Sequence, residues 1–421
     1  MRRALLLLIL LLPAPAAARR MPTVGGDVRL ALSADLADET ARSARSVPLL
    51  RPPDPDDPPW LARSRPPLAG TDLRSDRVSA LEGEPGGLVW RLGGEGLQAA
   101  VEDCLTGPAA WPAAALRSAG VTTSVAERPG GLLLRFSTPV GALPELLSGC
   151  PIDGPDAFAG DLPRLERAEG VGVHRLLFVP PGAPADLLAE GAAAPGRSLV
   201  VSAIDSVVLL IQGEQARADD PLGTGSGARG LAAFRDRLRP GLMAEVLAGG
   251  RAEAAQGLLP DRLAPRRPPP DDAGAAAPDR SASSLRLALD RGDGALLQGL
   301  AARLTALVDA RGGRVVPEPG AASRLIQWGP PTRDPALALL ALADQQPALR
   351  SEGLTDPRLL DASPARRLEA ALDLERLWID ERRAVPLLSA RRWIAVHQDL
   401  LGVRLRPDGV PLLDRAWWRV P

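Results

Sequence analysis

The sequence predicts an α/β protein of two or more domains, on three observations. Strand-like and helix-like periodicities alternate along the chain. Residues 285–316 show a complete strand–helix–strand pattern, the signature of a βαβ unit. The chain has 421 residues, more than one hydrophobic core usually organises.

Taken in order, the elements begin with a targeting segment. Arg2 and Arg3 precede an apolar run at residues 4–12, and Ala16-Ala17-Ala18 follows as a small-residue cleavage site. Nine apolar residues fall short of the roughly 20 that span a bilayer. The expectation is a signal peptide over residues 1–18 and an exported chain starting near Arg19, with an uncleaved anchor as the alternative. No Cys directly follows the apolar run at the expected cleavage site, so lipid attachment at a new N-terminal Cys has no residue to use.

Residues 27–32 alternate Val28, Leu30 and Leu32 against Arg29 and Ala31, as a strand does. The Pro-rich residues 51–67 read as loop. Residues 132–136 and 173–179 are strand candidates, and 198–211 is a β-branched run that Asp205 splits. Residues 230–248 read as helix, with Leu231, Phe234, Leu238, Leu242 and Val246 on one face, kinked or divided at Pro240. Residues 262–283 are polar, Pro-rich and aperiodic, and read as a linker. The βαβ unit follows: a strand at 285–289, a helix at 295–310 with Leu297, Leu300, Leu304 and Leu307 on one stripe, Gly312-Gly313, and a strand from Arg314. Its first strand, LRLAL, nearly repeats VRLAL at 28–32, which lends weak support to two similar lobes.

Composition removes several function classes. The chain has no Lys, Asn or Tyr, and all 50 basic residues are Arg. Those three absent residues have A/T-rich codons, so the Arg excess reflects base composition rather than nucleic-acid chemistry. Without residues 1–18 the balance is 48 basic against 51 acidic residues, with no polyanion-binding footprint. The segment at 223–230, GTGSGARG, precedes a helical stretch but has no P-loop Lys and reads as a flexible loop. No nucleophile elbow, zincin motif or Cys/His cluster occurs, so no enzyme, metal or cofactor is expected. The two cysteines, Cys104 and Cys150, are expected to form a disulfide in an oxidising compartment, two lone thiols being the alternative.

Residues 368–418 carry a resemblance. A helical run, LEAALDLERLWIDERRA, leads through Val385-Pro386-Leu387-Leu388 into Trp393-Ile394-Ala395-Val396, then a strand at 401–405 and a closing Leu413-Asp414-Arg415-Ala416-Trp417. This resembles the C-terminus of the extracellular solute-binding proteins of family 5, which bind oligopeptides, dipeptides and nickel complexes. A second similarity lies at Trp328, Asp334 and Pro335, which match the spacing of that family's G-W-x-x-D-x-x-D-P segment. A third, weaker one runs over residues 229–260. Residues 50–155 match poorly, where larger members hold an extra domain.

The resemblance implies a two-lobed periplasmic binding protein, type II-like, with mixed sheets flanked by helices and a cleft between lobes. Lobe I would comprise residues 19–265, including a shortened inserted region at about 50–155, and the return segment 356–421. Lobe II would be 266–355. The implied function is capture of a small solute by hinge closure in the periplasm and delivery to an ABC permease of the inner membrane, by a monomer. The alternative is a decayed paralogue acting as a sensor or assembly subunit without transport, and a periplasmic hydrolase has only the cleft in its favour.

Trp328, Arg333 and Asp334 are the candidate ligand-binding residues, because strand ends face the crevice in α/β lobes. The family's ammonium-binding acid falls on Pro331 here, so the expected ligand is apolar or anionic, with Arg333 as its charge partner. The alternative is that Trp328 packs in the core and Asp334 caps the helix beginning at Pro335.

Overall fold

The computed structural model describes residues 26–31, 46–51, 67–68, 72–75, 77–153, 169–171, 174–179, 199–222, 233–234, 237–248, 252–264, 284–289, 295–397, 400–401, 404–405, 411–412 and 417–418. The expected signal peptide, the Gly-rich loop at 223–230 and most of the linker at 262–283 lie outside them.

The organising element is a ribbon of two long antiparallel strands, β10 (Leu199–Ile211) and β15 (Ala384–His397). Thirteen residues at about 3.3 Å each give it a length of roughly 40 Å. β10 runs unbroken through Asp205, which stands opposite Arg391. The expected split is absent because both neighbouring residues stay in ladder register.

Further strands attach at opposite ends of this ribbon. β14 (Arg324–Trp328) pairs with β10 along Val207–Ile211 and carries β12 (Ser284–Leu289) and then β13 (Arg314–Pro317), both parallel. At the other end β1 (Gly26–Ala31) joins β15 at Ala395, followed by parallel β9 (His174–Val179) and antiparallel β8 (Glu169–Val171). The resulting order is β13-β12-β14-β10-β15-β1-β9-β8, with β11 (Ala252–Ala254) also on β15. The two near-identical sequences both lie in strands with a parallel neighbour, β9 for β1, and β13 and β14 for β12, but β1 is antiparallel to its other neighbour, β15.

Both faces of the ribbon are covered where β14 attaches, and this explains the continuous apolar run in β10. Val207, Leu209 and Ile211 enter one core, and Val208 and Leu210 the other. The register shifts between Val208 and Leu209, opposite Leu388 and Pro386. Pro386 has no N–H for the ladder, so the extra residue, Leu387, is accommodated there as a bulge.

The second core is filled by α6 (Ala295–Asp309), whose Leu297, Leu300, Leu304 and Leu307 are buried as the periodicity requires. Phe234 and Leu238 join it with no exposure. The expected apolar face does not continue past Pro240. α5 starts there (Pro240–Ala248), after Arg239 adopts a φ of 54°, so its phase is rotated. Ala244 turns inward, while Leu242 and Val246 are exposed.

The first core joins distant parts of the chain. A four-stranded antiparallel sheet, β3 (Ala80–Gly83), β4 (Val89–Gly93), β6 (Gly131–Phe136) and β5 (Thr123–Arg128), points Leu81, Leu92, Leu132, Leu134 and Phe136 inward and Glu82, Arg91 and Arg135 outward. Helices α1 (Gln98–Thr106), α2 (Trp111–Ser118) and α3 (Leu143–Ser148) belong to the same unit, and a short pair, β2 (Ser46–Pro48) with β7 (Pro151–Asp153), closes its base. The disulfide between Cys104 and Cys150 is formed, with Cα atoms 5.4 Å apart.

Two later helices pack against this unit. α7 (Pro335–Gln345) is buried on every side from Ala336 to Ala343, as its PALALLALA sequence demands. α8 (Pro364–Asp380) buries a stripe of Ala370, Ala371, Leu374 and Trp378. In place of the single strand expected at 401–405, two short pairs form, 400–401 with 417–418 and 404–405 with 411–412.

Candidate functional site

β14 delivers Trp328 to the middle of the ribbon, where it stands opposite Val207 on the face that holds the first core. The indole is 6% exposed. The next positions, Gly329-Pro330-Pro331-Thr332, turn the chain, and Arg333 projects into solvent. Asp334 follows as the N-cap of α7. Its Oδ1 accepts from the backbone N–H of Ala336 and of Leu337, both at 3.1 Å, and Pro335 occupies the first helical position.

The other oxygen of Asp334 is also engaged. Arg367 Nε donates to its Oδ2 at 2.7 Å, and Arg367 Nη2 donates to Glu145 of α3. Arg367 Nη1 donates to the carbonyls of Asp361 at 2.6 Å and Ala362 at 3.2 Å. Burial opposes the charge on Arg367, but Asp334 and Glu145 outweigh it and hold its pKa above the ordinary value. Of the three candidate residues, then, Trp328 is packed, Asp334 is committed to cap and ion pair, and Arg333 is free to meet a solute.

A polar pair, Ser206 buried and Gln327 half-buried, accompanies Trp328 on the opposite face of the ribbon. Gln327 Nε2 donates to Ser206 Oγ at 2.8 Å, and Ser206 Oγ donates to the Ala390 carbonyl at 3.0 Å. This ties β14, β10 and β15 together by side chains where the three strands meet. A Ser and a Gln inside otherwise apolar strand sequences were the available signal for it.

Glu375 is a second buried charge that sequence reading missed. It sits on α8 and accepts from the backbone N–H groups of Leu258 and of Leu259, the latter at 3.1 Å. Gly257 is needed beside it, since a Cβ there would meet Glu375 Oε1 at 2.5 Å. Burial pushes its carboxyl above the ordinary 4.5, against the pull of the two N–H donors. Because the folded value is the higher, this group's stabilising contribution is complete below pH 4.5 and declines as pH rises through the folded value. Glu375→Gln keeps an oxygen acceptor and is expected to abolish that decline. Glu375→Ala leaves two N–H groups unsatisfied and should cost about 1–3 kcal/mol. Urea unfolding from pH 4 to 8 checks both, and an unchanged pH profile in the Gln variant would refute the assignment.

A concavity of about 430 Å³ lies on the outer face of the four-stranded sheet, lined by Glu82, Arg91, Arg128, Leu133 and the backbone of Gly93 and Gly131. It shares no lining residue with Trp328 or Arg333. Among the described residues no helix is long and apolar enough to cross a membrane, and no group of three or more potential metal ligands occurs.

A ribbon carrying a sub-sheet at each end, with a helix-rich insertion, matches the fold of the two-lobed periplasmic binding proteins. Three solved structures show the likeness. The PBP AgaA from A. tumefaciens, in complex with agropinic acid, superposes with a TM-score of 0.64 at 11% identity, covering 94% of this chain and 99% of that one. The ABC transporter-associated periplasmic binding protein DppA from Helicobacter pylori, in complex with a peptide, gives 0.62 at 12% identity over 94% and 99%. A dipeptide-binding protein from a Pseudoalteromonas species, in complex with Met-Leu, gives 0.60 at 10% identity over 94% and 100%. No protein-family model matches the chain, and no curated protein matches its sequence.

Proposed function

We propose that this chain is a solute-binding protein of family 5 that captures a small molecule in the periplasm and presents it to an ABC permease, as a monomer exported by residues 1–18. The observation that carries this reading is the β10–β15 ribbon, the two-stranded link within the main sheet between β14-β12-β13 and β1-β9-β8. Bending of such a link changes a few backbone torsions and leaves both sub-sheets intact. On the proposed division, lobe I is 19–265 with 356–421 and lobe II is 266–355. The core shared by residues 49–150, α7 and α8 is then where the lobes touch.

For the ligand, we propose an apolar or anionic molecule bound beside Trp328 and Arg333. Arg333 is exposed and has a guanidinium to offer a carboxylate or phosphate, and Pro331 supplies no carboxylate for an ammonium group. Asp334 contributes by holding the start of α7, and so the loop bearing Arg333, in place.

Native mass spectrometry of the purified protein tests for a co-purified small molecule. A thermal-shift panel of anionic solutes and of di- and tripeptides then ranks the classes. A true ligand at 100 times its dissociation constant stabilises by about 2.7 kcal/mol. Anionic solutes are expected to raise the melting temperature, and Arg333→Gln or Trp328→Ala to remove the rise. If peptides raise it and neither substitution matters, both the site and the ligand class are wrong.

A further inference from the structure

We propose a small-oxyanion site, for a phosphate or a carboxylate group, where β10 ends and β15 begins, built on Arg217, Gln212 and Arg383. It stands apart from Trp328 and Arg333 and does not depend on the solute-binding reading.

Gln212 directly follows β10, and its backbone N–H donates to the Arg383 carbonyl at 2.9 Å. Ile211 and Ala384 are ladder partners, so the next pair is Gln212 with Arg383, and their side chains leave the ladder on the same side. The Gln212 side chain is 1% exposed, yet its Nε2 has no acceptor. A buried amide donor in that state is unstable unless something supplies an oxygen.

Arg217 lies one turn into α4 (Glu214–Asp219), which starts two residues after Gln212. Its guanidinium pairs with no acid among the described residues, and its Nε is buried without an acceptor. Burial first, and then the charge of Arg383, hold its pKa below the ordinary value.

The surrounding charges explain why Arg217 is the one left over. Arg383 donates to Glu381 and to the carbonyls of Ala348 at 3.3 Å and Arg350 at 2.5 Å. Arg382 pairs with Asp220 at 3.5 Å. Glu214 is exposed at the start of α4, and its field and that of Glu381 favour the Arg217 charge without contacting it. Two of the three guanidinium groups therefore have their own acids. A water molecule would satisfy Gln212 Nε2 but would not neutralise Arg217. An oxyanion does both, accepting from the amide and from the guanidinium at once.

The test is titration calorimetry on the mature chain with sodium phosphate and, separately, sodium acetate, against chloride at equal ionic strength. Saturable binding of either anion is expected, and which of the two binds separates a phosphate from a carboxylate site. Arg217→Gln, on a partly exposed helical position, should weaken binding at least tenfold, because it removes a charge-assisted donor. Arg217→Lys should recover part of the loss, and Arg333→Gln should leave the Arg217-dependent binding unchanged. Binding no greater than chloride's overturns the proposal, as does equal affinity in Arg217→Gln. A loss in Arg333→Gln alone would place the anion beside Trp328 and overturn it as well.

Discussion

Replacing Arg367 by Ala is expected to lower the unfolding free energy by about 3–5 kcal/mol, the usual consequence of removing one member of a buried ion pair. The side chain is 1% exposed and has four oxygen partners on three separate segments: Asp334, Glu145, and the carbonyls of Asp361 and Ala362. Its loss leaves the Asp334 carboxylate, only 9% exposed, without its cation, and releases α3 from α8. Arg367→Lys should recover little, because one ammonium group cannot reach partners spread around a planar fork. Asp334→Asn keeps the acceptor that caps α7 while removing the charge, so Arg367→Ala should cost less in that background. Equilibrium urea unfolding followed by Trp fluorescence measures all four proteins. A loss below about 1 kcal/mol for Arg367→Ala would show that the triad is energetically idle, as exposed pairs such as Arg91–Glu84 are expected to be.

Arg367 also shows where sequence reading reached its limit. The βαβ unit and the strands at 27–32 and 132–136 were legible because each depends on local periodicity, and the helix cap at Asp334, read only as the alternative to a ligand-binding role, because it depends on residues within one turn. The ribbon was half legible. Its apolar run stood out, but the continuity through Asp205 shows only in the ladder register with β15, where it stands opposite Arg391, almost 190 positions away. The partners of Arg367 and Glu375 are likewise distant in sequence, at Glu145, Asp334, Leu258 and Leu259.

A weak signal for both charges did exist. Residues 367, 371, 374, 375 and 378 fall on one face of α8, so Arg367 and Glu375 interrupt a stripe that otherwise reads Ala371, Leu374 and Trp378. A charge inside an apolar stripe implies a buried partner, though the spacing does not say which. At the candidate site, Arg333 reaches water. The packing of Trp328 depends on which face of β14 meets the first core, and that is decided by register with β10, which no local pattern contains.

Removing the disulfide is expected to destabilise the unit at residues 49–150 by about 4 kcal/mol, the chain-entropy value for a loop closed over a sequence separation of 46. That loop encloses α2, β5, β6 and α3, which together supply much of the first core. Both cysteines are 1% exposed, and Cys150 is further held by the Leu49 N–H donating to its carbonyl at 2.8 Å. The bond therefore fastens α1 to the end of α3 inside packed surroundings, and its effect acts mainly on the unfolded chain, which gains freedom when the link is cut. Cys104→Ala/Cys150→Ala also removes two buried sulfur atoms, so its loss should somewhat exceed that of the wild type under reductant. The decisive comparison is between oxidised and reduced wild type, with the double Ala variant insensitive to reductant. Since α6 and the second core lie on the other side of the ribbon, hydrogen exchange in 295–309 should change less than in 98–148. Equal stability of oxidised and reduced protein, or two alkylatable thiols in the native state, would contradict a bond that stabilises this unit.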